Sequence, residues 1–332
     1  MKNNFADVIC SEEPRLSPRP VKNGLLDSVL TDLKKTPGID SDLLTQNLEK
    51  LSEQKLNILF VGATGVGKSS TINAIFNTEV ATVGRSVDPE TSSIQKFEMD
   101  NLILWDTPGL GDSPETDRRY AGQIANALKA RDKDGNLIID EVVVLVDGSS
   151  RDMKTTYEVI EELVFPYVSD PKRIVIAINQ CDMALKGRYW NQTANQPETQ
   201  LAVFLEQKVA SVRERLQESV GLSAQPVYYS ALYRYNISKL LLTMLMSIPE
   251  EKRFLLSDSL NRDPQVWKAN DELANYNAGI RKELKLSFSG ALDKAAKGAM
   301  AGATIGTLVP VIGPVIGAAA GALLGFLDGI FS

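Results

Sequence analysis

The stretch Gly62-Ala63-Thr64-Gly65-Val66-Gly67-Lys68-Ser69 constrains this chain more than any other, because it matches the pattern G-x-x-x-x-G-K-[ST] in full. Leu56 to Val61 before it reads as a buried strand, and Ser70 to Phe76 after it reads as a helix, which is the setting such a loop requires. Glycines let successive backbone N–H groups wrap an anion. The helix that begins at the loop's end aims its positive pole at the same place. Lys68 is then positioned to reach the β- and γ-phosphates of a nucleotide as a point charge, and the Ser69 hydroxyl to ligate Mg²⁺.

Beyond the loop, further polar groups fall at strand ends. Two strand-like runs, Ile94 to Phe97 and Leu102 to Trp105, are joined by Asp100-Asn101, a hairpin turn. The second run ends in Asp106-Thr107-Pro108-Gly109, where a carboxylate can sit beside a nucleotide-bound Mg²⁺ and the Gly109 N–H can face the γ-phosphate. Val142 to Val146 and Ile174 to Ile178 are near-continuous apolar runs of the kind a parallel sheet buries on both faces. The second ends in Asn179-Gln180-Cys181-Asp182, and a shorter run, Pro226 to Tyr229, ends in Ser230-Ala231-Leu232. Strands alternating with helical patterns imply an α/β fold with an open, mainly parallel sheet, helices on both faces and the ligand at the carboxyl edge.

The series GATGVGKS, DTPG, NQCD and SAL, in this order over Leu56 to Met246, resembles the Era-like, ribosome-binding-type group of the translation-factor-like P-loop GTPases. It is more loosely similar to the immunity-related and dynamin-like GTPases. The resemblance implies GTP and GDP as ligands with Mg²⁺. It gives the phosphates to Gly62, Ala63, Thr64, Gly65, Val66, Gly67, Lys68, Ser69, Ser70 and Gly109, and the metal to Ser69, Asp106 and a threonine of the loop over Asn77 to Ser93. Thr91 is the first choice for that threonine and Thr82 the second, so Lys68 and Thr91 become the catalytic candidates. Asp182 would accept from guanine N1–H and the exocyclic amine, a donor pair that adenine lacks, with Asn179 in support. Gln180 stands where the family carries lysine, and Ser230 and Ala231 would touch the guanine oxygen through a backbone N–H.

Ras-like switches place a water-orienting glutamine after the DxxG glycine, and here that residue is Leu110. A low intrinsic rate is therefore expected, unless a bound potassium ion, a partner or a second subunit assists. Arg118 and Arg119 are the arginines a homodimer could supply across its interface, although a charged run of this kind is commonly a solvated helix face.

Composition narrows the remaining classes. The 332 residues, 43% hydrophobic and 23% charged, are ordinary for a folded chain, and a net charge of -6 gives no broad electrostatic footprint for nucleic acid or a ribosome. No histidine occurs, which argues against zinc chemistry and serine-type triads. The cysteines, Cys10 and Cys181, suggest a reducing compartment, and the polar, proline-rich opening does not read as a secretory signal, so a cytoplasmic location is expected. Four regions are expected: a flexible arm over 1–23, helices over 24–54, the nucleotide domain over 55–249 and a helical region over 250–332.

No charged residue occurs from Gly298 to Leu327. Glycines recur there at four-residue spacing, Gly298, Gly302 and Gly306, then Gly313, Gly317, Gly321, Gly325 and Gly329, with Pro310 before Gly313 and Pro314 just after it. Such spacing lines one helix face and permits close approach of another helix. Two prolines predict a break into two short apolar helices, a hairpin over 298–331. Three destinations remain open for it: burial within the chain, the inner face of a membrane, or contact between subunits. The membrane option carries an alternative function, a self-assembling GTPase of the dynamin or immunity-related type.

Overall fold

β1 (Leu56–Gly62) is buried along its whole length because it is flanked by parallel neighbours and covered on both faces. The computed structural model describes residues 21–76, 94–111, 113–150, 154–267, 273–300 and 305–331. Residues 1–20 of the expected arm, Thr82, Thr91 and Gly302 lie outside them. The sheet runs β2 (Gln95–Met99), β3 (Leu102–Asp106), β1, β4 (Glu141–Asp147), β5 (Ile174–Asn179), β8 (Val227–Tyr228), with β2 antiparallel at the edge and the other pairings parallel. The β2–β3 turn places Asp100 at φ 40, a left-handed conformation that Asp tolerates.

Alternation along each strand sends side chains to two layers. Leu59, Val61, Val142, Val144, Ile174 and Ile176 face α4 (Pro114–Lys129), α5 (Lys154–Glu158, continued by a π-helix over Val159–Val164) and α6 (Thr199–Val220). Ile58, Phe60, Val143, Leu145, Val175 and Ala177 face α3 (Lys68–Ile75) and α7 (Ile237–Ser247). The caps are local: Ser113 Oγ accepts from Thr116 N–H at the head of α4, with Pro114 opening the helix, and Gly221 closes α6 at φ 70. A short hairpin of β6 (Trp190–Asn191) and β7 (Gln196–Pro197) stands outside the main sheet.

The core beneath α7 does not stop there. α1 (Val21–Leu33), α2 (Ser41–Glu53), the 3₁₀ segment Glu250–Ser259, α8 (Leu273–Gly298) and α9 (Ile305–Phe331) continue it as a further helical layer. Trp267 meets Phe331 edge-on at 5.1 Å, and two ion pairs fasten the layer, Arg253 to Glu283 at 2.5 Å and Lys252 to Asp140 at 2.7 Å.

Two expectations for the carboxyl end are corrected. α9 runs unbroken through Pro310 and Pro314, so these prolines do not divide it into two apolar arms, and the helix before it in the chain is the charged, amphipathic α8. Each proline costs a backbone hydrogen bond and about 3 kcal/mol in a helix interior. The tertiary contacts of Ile312, Ile316, Leu323, Leu327 and Ile330, all buried in the shared core, offset that cost. Nor does the glycine row of α9 meet a partner helix within the chain, which removes burial within the chain as its destination. Gly313, Gly317, Gly321, Gly325 and Gly329 are exposed, and a Cβ added at any of them would meet nothing within 4 Å.

This orientation predicts opposite outcomes on the two faces of α9. Leu327→Ala should lower the free energy of unfolding by about 2–5 kcal/mol in urea titration. Gly321→Ala should raise it by up to about 1 kcal/mol. The reverse ranking would turn the glycine row inward.

Candidate functional site

The carboxyl ends of β1, β3, β5 and β8 open on one edge of the sheet, and every motif of the series sits there. At the end of β1 the chain turns through Gly65 (φ 75) and Gly67 (φ 89) into α3. Gly67 is required twice, because its backbone is left-handed and a Cβ would lie 2.4 Å from Asn179 Nδ2. Lys68 is buried and its Nζ donates to the carbonyls of Gly62 (3.2 Å) and Ala63 (3.1 Å), folded along the loop it would serve. Thr64 and Gly65 are exposed, Ala63 is half-buried and Val66 anchors the loop in the core. Ser69 and Ser70 lie half-buried in the first turn of α3, where helix N–H groups lack intrahelical partners.

Across from the loop, at the end of β3, Ser69 Oγ donates to Asp106 Oδ2 at 2.8 Å. Asp106 Oδ1 is buried with no hydrogen-bond partner among the described residues. Burial raises the Asp106 pKa, against the opposing effects of the Lys68 charge and the Ser69 hydroxyl. Ser69 and Asp106 are thus a hydroxyl and a carboxylate that fit a divalent cation, since such an ion would answer both the orphaned oxygen and the desolvated charge. Gly109 lies so close to the loop that a Cβ would be 2.3 Å from Thr64 Oγ1. Next to it, Leu110 N–H donates to the Gly62 carbonyl (3.3 Å), and the Leu110 carbonyl accepts from Thr64 N–H (3.0 Å). The Leu110 side chain is buried in the layer containing α4 and presents no polar atom to a phosphate.

The other end of the crevice is built by Asn179. Its Nδ2 donates to the Val66 carbonyl at 2.9 Å, and its Oδ1 accepts from Ala231 N–H at 3.1 Å. Gln180, at φ 59, donates from Nε2 to the Gly65 carbonyl at 2.8 Å, so the residue standing in for lysine keeps a donor on the loop. Asp182 is 3% exposed, and its Oδ1 has no partner among the described residues. Ser230 is fully buried, with its Oγ accepting from Tyr233 N–H at 3.1 Å. The Ala231 N–H, expected at the guanine oxygen, donates here to Asn179.

Family comparison matches residues 57–180 to the model described as 50S ribosome-binding GTPase. The matched residues hold the loop, Asp106, Gly109 and Asn179, in that order along the chain. Residues 57–180 are thus similar in sequence to P-loop GTPase domains of that description. The tRNA modification GTPase MnmE of Marinomonas sp. is 25% identical over 182 residues, covering 54% of this chain and 38% of that protein. GTPase Der of Deinococcus deserti is 25% identical over 276 residues, covering 82% and 53%. The chain therefore spans about half or less of the length of these relatives. A solved structure of Era in complex with MgGDPNP and 16S ribosomal RNA is 17% identical, covering 59% of this chain and 58% of that one, with a TM-score of 0.41.

At this edge of the sheet the structure brings together Gly62 to Ser70, Asp106, Gly109, Asn179, Gln180, Asp182, Ser230 and Ala231, while Thr91 lies outside the described residues. Arg118 and Arg119 are both exposed on α4, and the Arg119 guanidinium lies 5.0 Å from the Tyr120 ring centroid. Two supports of the site were not among the motif residues. Thr71 Oγ1 and Tyr229 Oη lie 2.7 Å apart beneath the loop, tying α3 to the residue before Ser230. Lys208 of α6 donates to the carbonyls of Asp147 (2.9 Å), Gly148 (2.9 Å) and Ser150 (2.6 Å). That clamps the end of β4 against the Asn179 loop, where Gly148 N–H donates to the Asn179 carbonyl at 2.7 Å. A cation at the edge of α6's apolar stripe, beside Val209, was the available signal.

Lys208→Met should weaken guanine-nucleotide binding about tenfold, or about 1.4 kcal/mol, because the loop behind Asn179 loses three charge-assisted bonds. Lys208→Arg should retain most of the affinity. Titration with a fluorescent GDP analogue reads both, and equal affinity in all three proteins would remove Lys208 from the site's support.

Proposed function

We propose that the chain binds GTP with Mg²⁺ and hydrolyses it to GDP and phosphate, acting as a switch whose state is read through the segments after the P-loop. One observation carries the reading: Asp106 Oδ1 and Asp182 Oδ1, at opposite ends of one crevice, are both buried without a partner among the described residues. A buried carboxylate oxygen left bare is costly unless a ligand completes it. At the first a hydrated cation supplies the missing charge, and at the second the guanine N1–H and amine supply the missing donors. Between them the amides of Gly62 to Ser70 hold the phosphates, and Lys68 neutralises charge on the β- and γ-oxygens as the bond to the leaving diphosphate breaks. Ser69 and Asp106 would hold Mg²⁺, which when bound would supply further positive charge for the phosphates, and Thr91 is proposed to complete that set and to face the attacking water.

Leu110 cannot orient that water, so turnover by the isolated chain is slow and depends on a group from elsewhere. Asp182→Asn should lower affinity for GTP and GDP by about 100-fold, from loss of hydrogen bonds to a charged acceptor. It should raise affinity for xanthine nucleotides, whose extra oxygen accepts from the new amide. Lys68→Ala should abolish binding of the triphosphate. Calorimetric titration with GTP, GDP, XTP and ATP decides base choice. A phosphate-release assay that stays flat in potassium and in sodium would reduce the chain to a binding module.

A second reading concerns α9. Ile312–Phe331 is 20 residues of apolar helix, long enough to cross a bilayer, and 39% of it is buried against the rest of the chain. On this reading α9 leaves the helical layer and enters the inner face of a membrane, the chain being otherwise cytoplasmic. Liposome flotation should then be lost on deletion of 298–332 and kept by the full chain, and flotation that survives the deletion removes the membrane role.

A further inference from the structure

A cavity of about 420 Å³ lies between α4 and the π-helix, on the far side of Leu110 from the P-loop. One wall is a single face of α4, comprising Asp117, Arg118, Ala121, Gly122 and Ala125. The other carries Glu158, Val159, Glu162, Leu163 and Tyr167. The floor is thus apolar, and three carboxylates stand at its rim against one guanidinium. Its size falls in the range of ligand pockets. A π-helical turn is rare and recurs at functional positions.

Gly122 is the second sign that the space is kept open. A glycine within a helix costs about 1 kcal/mol relative to alanine. Here a Cβ would meet nothing within 4 Å, so no contact inside the chain requires the glycine. Its effect is to lower the α4 wall.

The cavity is also wired to the nucleotide loop. Leu110 forms part of its lining, and the Leu110 backbone is bonded to Gly62 and Thr64. Asp117, on the rim, accepts from Gly111 N–H at 2.9 Å. A cation drawn to Asp117 competes for the bond that fixes the chain just after Leu110.

We infer that this cavity is the docking site for a basic, apolar segment of a partner protein, whose seating shifts the Gly109–Gly111 stretch on the P-loop. An apolar side chain fills the floor and a Lys or Arg meets Asp117 and Glu162. The coupling to the P-loop rests on the GTPase reading, whereas the docking does not require nucleotide. The probe is a fluorescent amphipathic Leu/Lys peptide, set against a Leu/Glu peptide of the same length and spacing.

The expected result is micromolar binding of the basic peptide alone. It should weaken at least tenfold in Gly122→Leu, which fills the cavity with a better helix former and should leave the melting temperature unchanged or higher, and severalfold in Glu162→Gln. In the wild type the bound peptide should change the release rate of fluorescent GDP, and in Gly122→Leu it should not. Equal peptide affinity in wild type and Gly122→Leu overturns the site, as does no binding of the basic peptide or equal binding of the acidic one. Peptide binding without GDP binding keeps the docking site and sinks the nucleotide reading instead.

Discussion

Asn179 fixes the distance on which the whole crevice depends. One amide side chain holds the P-loop by the Val66 carbonyl and the loop after β8 by the Ala231 N–H, so the phosphate end and the base end are held from one point at the tip of β5. A planar amide with a donor and an acceptor on opposite sides can do this; a carboxylate could make the second bond only by losing the first. Gly67 must be glycine for the same reason, since a methyl group there would occupy the place of the Asn179 amide nitrogen. Gln180 adds a parallel bond to Gly65. The site is therefore held rigid by polar contacts made after the sheet has set β5 beside β4 and β8.

Around that fixed point the structure distributes its polar ties unequally. The P-loop and the Asn179 end of the crevice are tied by Asn179, Gln180, Thr71 and Lys208, whereas the stretch after Asp106 is held to the loop by the backbone of Leu110 and by Asp117. A switch needs that contrast, because binding energy can move only the part whose contacts differ between states. Leucine at position 110 serves packing. Its side chain joins the core with α4, and its main chain keeps the contact with the loop.

The helices outside the matched domain are not an appendage with a core of their own. α1, α2, α8, α9 and the segment Glu250–Ser259 bury their apolar faces on α7 and on one another, continuous with the underside of the sheet. α9 shows how tertiary packing overrides local signals. Its prolines argue for a break and its glycine row for a partner helix, yet the large side chains turn inward and the helix persists. Four-residue spacing determines which residues share a face. Which face is covered depends on where the bulkier residues of the same turns find partners.

The phosphate loop, the strands around it and the positions of Asp106 and Asp182 at strand ends were legible because their signals are local: a loop needs its glycines in sequence, and a strand buried on both faces is mostly apolar. Thr91 was chosen by distance along the chain alone, with no local chemistry to test it. Tyr229 and the cavity beside Gly122 could not be read, and Lys208 showed only as a cation at the edge of an apolar stripe, since the contacts of each exist only where elements distant in sequence converge, and hydrogen bonds of about 3 Å leave no trace in residue order. Sequence by itself determined which groups stand at the sheet's carboxyl edge, because backbone conformation and burial restrict residue type position by position. Tertiary structure alone decided that Asn179 bridges both loops, that Leu110 turns into the core and that α9 shows its glycines to the outside, because these outcomes are set by competition among packing partners that meet only when the chain is folded.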